Sequence, residues 1–469
     1  MIKRILKIFG IILLLSVFVF SAVASPFAVS FLSSKIDTDF AVPINEGIKL
    51  DYDLSEKVTI YLDEYENVSR KSKKAGFFNY YGIFYRSDLY VKGEICYKLG
   101  LKEKTEEFFL EPTDENGSVF YSFIDNCLEG VKGSRVEAIS FEALSGDGSF
   151  TLLGFNVFNR VVPQQEIYIE SDEYKLGIDL LWGGALSYLE DLNSNVQAVS
   201  VNGEIKVDSN AMERYKTESV NDNVNLINRN DTGRLVQQSY YGTLDYDYGV
   251  YMDNDWRYNP VQGGNQYNDA SKIVDLRVEK NLLYVKCRPL DWAKEKEFAT
   301  PAYMEATYTI EGKLVKASCR FVDFSGYPEA ESTQELPAFY CIEPFNEFVY
   351  YQGDKPWTDE PLTEEPDLIF WPDAGYPNFV SPEHWSAFKG EFDDSFGIGL
   401  YVPEQTTLLS GVYCRGETTN TDPSCDSPTS YIAVVENRIF KSFAPTEYEF
   451  YLTTGDTTEI RNTFKALEN

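Results

Sequence analysis

Short runs of β-branched and aromatic residues, each closed by Gly, Pro, Asn or Asp, recur along the chain and predict strands rather than helices. Lys57–Leu62, Ser149–Phe158, Ala306–Ile310, Leu314–Val322 and Gly397–Val402 carry the pattern most plainly. Ala306–Ile310 and Leu314–Val322 read as a hairpin closed through Glu311 and Gly312, since a tight loop containing glycine suits the twist of paired strands. Helical periodicity is scarce. Residues 209–218 and 329–335 have room for short helical turns, but neither carries a sustained apolar stripe. The pattern predicts an all-β protein.

Strand spacing of the sandwich kind runs as far as Phe158–Gln165, and a longer unit begins with Tyr174–Gly184. We therefore expect an N-terminal accessory β-sandwich over 45–165 and a larger β unit over 166–469. Phe77–Tyr85 is aromatic enough to form a sugar platform. Aromatics in β domains mostly pack cores, so one buried strand is the preferred reading.

Residues 1–34 add an address. Met1–Lys7 is basic, Ile8–Phe20 is apolar, and Ala22-Val-Ala24 places small residues at a cleavage spacing, the pattern of an export signal. Apolar character continues through Pro26–Leu32, long enough for an uncleaved membrane anchor instead. Either way the basic flank stays cytoplasmic and the rest is expected to be secreted or held on the outer face of the membrane.

Charge removes several partners. Against 42 Lys and Arg stand 74 Asp and Glu, a formal net charge of −32, whose field repels phosphate backbones, anionic lipid headgroups and polyuronates. Nucleic acid is not an expected partner. The seven cysteines leave at least one unpaired; Cys414 with Cys425 is the first candidate bridge and Cys96 with Cys127 the second. With His384 the only histidine and no closely spaced cysteine pair, a zinc site is not expected, nor is any cofactor. Asp245, Asp247, Asp253 and Asp255 are close in sequence but lack the glycine and terminal glutamate of a calcium loop, and read as solvated turn charges.

Candidate chemistry concentrates at Asn225–Tyr241 and Tyr258–Gly264, where amides, Arg, Asp and Tyr occupy positions that a plain strand would give to Val and Ile. Amides and carboxylates bind hydroxyls through paired hydrogen bonds, Arg offers a rigid donor fork, and aromatic faces cover the C–H patches of a sugar ring. Asn228, Arg234, Gln238, Tyr240, Trp256, Asn259 and Gln262 are the candidate ligands of a neutral oligosaccharide or polysaccharide. The bland alternative is a Tyr- and Asn-rich turn region.

Leu180–Leu189, a strand ending in a Gly-rich turn, followed by the Asn228–Arg234 turn, resembles the β-supersandwich of aldose epimerases and related galactose-mutarotase-like domains. The likeness covers about residues 166–469 in strand pattern only. It implies carbohydrate handling and not one reaction. Epimerases of this kind use a His acid with a Glu base and usually a second pocket His; a single histidine speaks against mutarotation here.

Catalytic candidates come from three places. Glu335 precedes a strand in a polar stretch, where partial burial would tune a carboxyl for acid or base work. His384 lies with Glu383 and Trp385 after a Pro-broken loop, where an imidazole could move a proton near neutral pH. Asp231 would be the second carboxylate of a hydrolase. Each has a plainer reading: a turn cap, a backbone-bonded imidazole, an Asx turn. The loop 353–378 is rich in Pro and carboxylates and carries Trp357 and Trp371, the rings of a stacking lid or of a hydrophobic plug. Three classes follow: a glycoside-hydrolase-like enzyme, a non-catalytic glycan-binding surface protein, and a structural envelope protein.

Overall fold

The computed structural model describes Val42 to Glu468, apart from residues 51–53, 55, 62–77, 131, 163, 195–196, 202–203, 209–219, 222–223, 296–298, 367, 371–375, 391–395, 418 and 421. The protein is all-β, with one nine-residue α-helix among the described residues. The leader-like N-terminus, Trp371 and the 209–218 segment lie outside the described residues. No helix among the described residues is long and apolar enough to cross a membrane.

The first strands form two four-stranded antiparallel sheets. One runs in the order Val42–Leu50, Phe150–Phe158, Tyr80–Ser87, Ser118–Phe123, the other Val58–Tyr61, Arg135–Ser145, Tyr90–Leu99, Lys102–Leu110. Period-two alternation explains the packing: along Tyr90–Leu99, Val91, Gly93, Ile95 and Tyr97 are buried while their neighbours are half exposed. Tyr81, Ile83, Phe108, Phe141 and Phe150 fill the space between the sheets. The aromatic run at Phe78–Tyr85 is thus core and not a platform.

Two larger sheets follow. The main path of a ten-stranded sheet orders Asn378–Val380, Thr407–Tyr413, Thr429–Phe440, Ala330–Ile342, Val236–Ser239, Ala185–Asp191, Tyr174–Asp179 and Glu166–Glu170. A nine-stranded sheet orders Lys272–Glu279, Leu282–Arg288, Ala302–Glu311, Leu314–Asp323, Thr446–Gly455, Gly397–Tyr401, Trp385–Gly390, Phe345–Tyr350 and Thr363–Glu365. Residues of both sheets, among them Leu176, Leu186, Val285, Ala306, Phe339, Leu400, Ile432 and Leu452, make one continuous core. The expected hairpin is present: Glu311 pairs Leu314, with Gly312 at φ 60° in the turn. The Gly-rich turn after Leu180–Trp182 is equally specific, because a Cβ on Gly183 would lie 1.8 Å from the Gln262 carbonyl oxygen.

One local reading is corrected and one element is new. Residues 329–335 do not turn as a helix; all but Glu329 belong to the Ala330–Ile342 strand, where Glu331 and Thr333 are exposed while Ser332 and Gln334 are buried. Polar composition hid that alternation. Gln334 is satisfied inside by accepting from Tyr241 N at 2.7 Å. Conversely, Thr457–Lys465 is a helix that the strand pattern does not anticipate. Asp456 caps it through a reciprocal box with Glu459, and Ile460 and Phe464 are buried against Trp385 and Tyr401.

The small sandwich packs directly on the large one. Tyr80 and Arg160 both donate to Asp275 Oδ1, at 2.7 and 3.0 Å, and Phe109 N donates to the Tyr303 hydroxyl at 2.9 Å. All seven cysteines are free thiols. Neither candidate bridge forms. Cys96 lies 3.8 Å from Thr105 Oγ1 on an outward strand position while Cys127 is buried. The loop between Cys414 and Cys425 is held by Asp426, which accepts from Thr419 N and Asn420 N.

Candidate functional site

A cleft opens on the face of the ten-stranded sheet turned away from the main core, and strand parity explains which side chains reach it. Along 236–241, Val236 and Tyr240 join the core, whereas Gln237, Ser239 and Tyr241 line the cleft. On the neighbouring Ala330–Ile342 strand, Leu336 and Phe339 face the core, and Glu335, Ala338 and Tyr340 face the cleft. A register shift between Glu335 and Ala338 keeps both on the cleft side although they are three residues apart. Tyr431 comes from the next strand and packs its ring 4.5 Å from that of Tyr340.

The cleft is open on one side and has a volume of about 230 Å³. Loops supply the remaining walls. Trp256 and Trp292 stand 5.1 and 5.7 Å from Tyr251, both edge-on. Phe370 covers Tyr431 at 5.0 Å and meets Tyr376 at 5.5 Å. Gly411 permits this, since a Cβ there would sit 2.6 Å from that of Phe370.

Glu335 is the one carboxylate among the described lining residues. Burial pushes its carboxyl above the ordinary range, and hydrogen bonds from the Tyr431 and Tyr241 hydroxyls pull partly against that shift by favouring the ionised form. A carboxyl so placed holds its proton at a higher pH than an exposed one, and two phenols stand ready to receive the charge left when the proton moves. Both phenols are themselves pushed well above their usual range by burial and then by the Glu335 charge, so they remain donors.

Arg234 supplies the cation. Its guanidinium carbon lies 5.0 Å from the ring centroid of Tyr413 and 5.8 Å from that of Tyr340, Nη2 donates to Ser427 O at 3.3 Å, and Nη1 lies 3.5 Å from Asp231 Oδ2. Nε is buried without a hydrogen-bond partner among the described residues, which leaves a donor for an acceptor on a bound molecule. Burial raises the Tyr413 hydroxyl to about 12, with the nearby Arg234 charge opposing. The turn that aims Arg234 is fixed by Gln237, whose amide donates to Thr232 O and Arg234 O at 2.8 and 2.6 Å while its carbonyl accepts from Gly263 N at 2.7 Å.

The candidates from sequence therefore divide. Glu335, Arg234, Trp256 and Asn259 line one cleft. Asn259 is partly committed: it accepts from Trp256 Nε1 at 3.1 Å and donates to Tyr240 O at 2.7 Å. Asp231 stands behind Arg234, with Oδ1 accepting from Gly233 N at 2.9 Å in an Asx turn. The others do not converge. Gln238 and Tyr240 have the opposite parity: Gln238 donates to Glu305 O at 2.9 Å, and Tyr240 stacks on Phe321 at 3.9 Å in the core. Gln262 is buried beside Gln238 N, and Asn228 spends its amide on Asp426 O and Pro428 O. His384 lies elsewhere, its Nδ1 3.2 Å from Gln405 O. Trp385 is fully buried and donates to Glu383, which is clamped by Arg461 at 2.6 and 2.9 Å; Trp357 N also donates to Glu383. The Trp357 ring packs against the cluster of Trp385, Tyr401 and Phe464, so it is a plug and makes no lid.

Sequence reading missed Tyr251, Trp292, Tyr340, Phe370, Tyr376, Tyr413 and Tyr431 as cleft walls. Parity within 236–241, anchored on Val236, was the available signal for Ser239 and Tyr241. Among the described residues no group of three or more His, Cys, Asp or Glu is placed to hold a metal ion.

No family model matches this chain, and no curated protein matches it. Among solved structures it is similar to a candidate aldose 1-epimerase from Escherichia coli, with a TM-score of 0.35 and 8% identity over 62% of this chain and 98% of that one. A galactose mutarotase related enzyme from Lactobacillus acidophilus gives 0.30 and 11%, over 62% and 98%. An α-galactosidase from Geobacillus stearothermophilus gives 0.33 and 11%, over 63% of this chain and 40% of that one. The first two descriptions fall in the group that the strand pattern resembles. At these TM-scores the likeness brings no activity to this chain, and function has to be read from the cleft itself.

Proposed function

We propose that this chain is an exported carbohydrate-active protein whose aromatic cleft holds a sugar of a neutral glycan, with Glu335 as the proton-transfer group. The observation that carries this reading is the coincidence, in one cleft, of a half-buried carboxyl held by two phenols with Trp256, Trp292 and Arg234 around it. Aromatic faces suit the C–H surface of a pyranose, and the Arg234 fork and Tyr hydroxyls suit its oxygens. In hydrolysis Glu335 would give its proton to the glycosidic oxygen as the C–O bond breaks. Water then adds to the anomeric carbon, and its proton returns to a carboxylate. Asp231, which pairs with Arg234 of the cleft, is the candidate for the second carboxylate that this chemistry needs. A leader of the export type at 1–34 and a charge of −32 support an extracytoplasmic place and an uncharged substrate.

A second reading is binding without turnover. It is favoured by the presence of a single carboxylate among the described lining residues and by the distant position of His384. Reducing-end release from a panel of neutral oligosaccharides, run with wild type and Glu335→Gln, separates the two. Turnover that the substitution abolishes supports the hydrolase. Binding that survives in both proteins without turnover supports the lectin-like role, and neither binding nor turnover contradicts both.

A further inference from the structure

The mouth of the cleft carries a strained apolar turn. Gly249–Tyr251 and Asn254–Trp256 pair as a short hairpin whose two turn residues, Met252 and Asp253, both have positive φ, 51° and 61°. A two-residue turn of this hand favours Asn, Asp or Gly, because a longer side chain there crowds its own backbone. Methionine is a poor choice for the turn alone. It is nonetheless held there, 48% exposed, with its carbonyl accepting from Asn254 Nδ2 at 2.7 Å and its side chain lining the cleft. Local strain at an exposed apolar side chain points to a use for that side chain.

Tyr376 is a second exposed side chain of the lining. It is 61% exposed, lines the same cleft, and is held edge-on to Phe370 at 5.5 Å. The interior, at about 230 Å³, falls below the roughly 300–1,000 Å³ of sites that enclose larger ligands. One ring fills it. Met252 and Tyr376 are the exposed apolar side chains of the lining, where a ligand longer than one ring would extend.

We infer that Met252 and Tyr376 form a second sugar subsite at the mouth, so that the cleft takes the end of a glycan chain in preference to a free monosaccharide. This rests on the sugar-binding reading above and adds its chain-length preference. Polarizable Met and the Tyr face give the second ring adaptable, sequence-tolerant contact, while the inner ring meets Glu335 and Arg234.

The test is calorimetric titration of the full exported chain with glucose, galactose and mannose and with their homologous di- and trisaccharides. In wild type at least one disaccharide binds about tenfold tighter than its monosaccharide, the scale of one added aromatic contact. The ratio collapses towards one in Tyr376→Ala and in Met252→Gly. Glycine relieves the positive φ at 252, so that variant folds at least as well as wild type, which a thermal melt verifies. A wild-type ratio of one, with the monosaccharide bound, overturns the second subsite and leaves the sugar reading standing. A ratio that persists in both variants overturns the assignment to these two residues. No binding by any saccharide overturns the reading beneath, and the subsite with it.

Discussion

Ser239 and Glu335 are register partners on adjacent antiparallel strands, and both side chains look into the aromatic cleft. One residue to either side of Ser239, Gln238 and Tyr240 look into the core. The site thus rests on a two-residue repeat: a shift of one position would replace its polar floor with core side chains.

Glu335 couples the cleft to folding. Its native carboxyl titrates above the ordinary 4.5, so the folded state holds the proton more tightly than the unfolded chain. That contribution to stability is complete below the ordinary value and is lost as pH rises through the raised one. Relative to Glu335→Gln, which does not titrate, wild type should lose stability across that window by at most about 1.4 kcal/mol per pH unit, then level off. Urea unfolding of both proteins from pH 4 to pH 8, on the order of the window set by carboxylates, would show it; parallel curves would mean that Glu335 is solvated.

The Glu383–Arg461 pair is a structural clamp far from the proposed chemistry. Glu383 is fully buried, and its removal leaves Nε and Nη2 of Arg461 and the Trp385 indole N–H without their acceptor, with only Nη1 still bonded, to Glu360 O. Glu383→Ala should cost about 3–5 kcal/mol in denaturant unfolding. A loss under 1 kcal/mol, on the order of a surface pair, would show that the network is wet.

His384 has positive φ, 61°, and bonds a backbone carbonyl rather than the cleft. Asparagine tolerates that conformation. His384→Asn should keep saccharide binding and any turnover at wild-type levels throughout the pH profile, and loss of a pH limb in the variant would bring the imidazole back into the mechanism.

Gly411 lets Phe370 lie on Tyr431. Gly411→Ala should push Phe370 outward, narrow or displace the cleft wall, and destabilise the fold by about 1–3 kcal/mol through overpacking. Ligand affinity should fall with it. A variant with unaltered melting and unaltered binding would show that this wall yields freely.

The all-β class was legible because β-branched and aromatic runs alternate in period two, as at Ala302–Glu311 and Leu314–Asp323. The cleft was legible only in part. Glu335 and Trp256 stood out as polar or aromatic exceptions in strand-like surroundings. Tyr340, Tyr413 and Tyr431 did not, because each is an ordinary strand tyrosine that meets the others only through pairing across long stretches of chain. Gln238 and Tyr240 misled for the same reason: composition marks a segment, but only the face chosen by the core decides which of its residues reach the site. His384 attracted notice as the single histidine, a matter of chemistry without placement. The terminal helix carried its signal openly in Asp456 and Glu459, against a background where strands dominated.

The most direct test of the central claim is saccharide binding by wild type and Trp256→Ala. Trp256 lines the cleft, is only half-buried, and stands 5.1 Å from Tyr251, so its loss removes a sugar-facing ring while leaving the strands intact. On a neutral glycan array followed by titration, wild type should bind at least one neutral saccharide, with Trp256→Ala weakened about tenfold or more, the scale of a lost aromatic contact. Equal binding by both proteins, or binding by neither, would contradict the assignment of this cleft to a sugar.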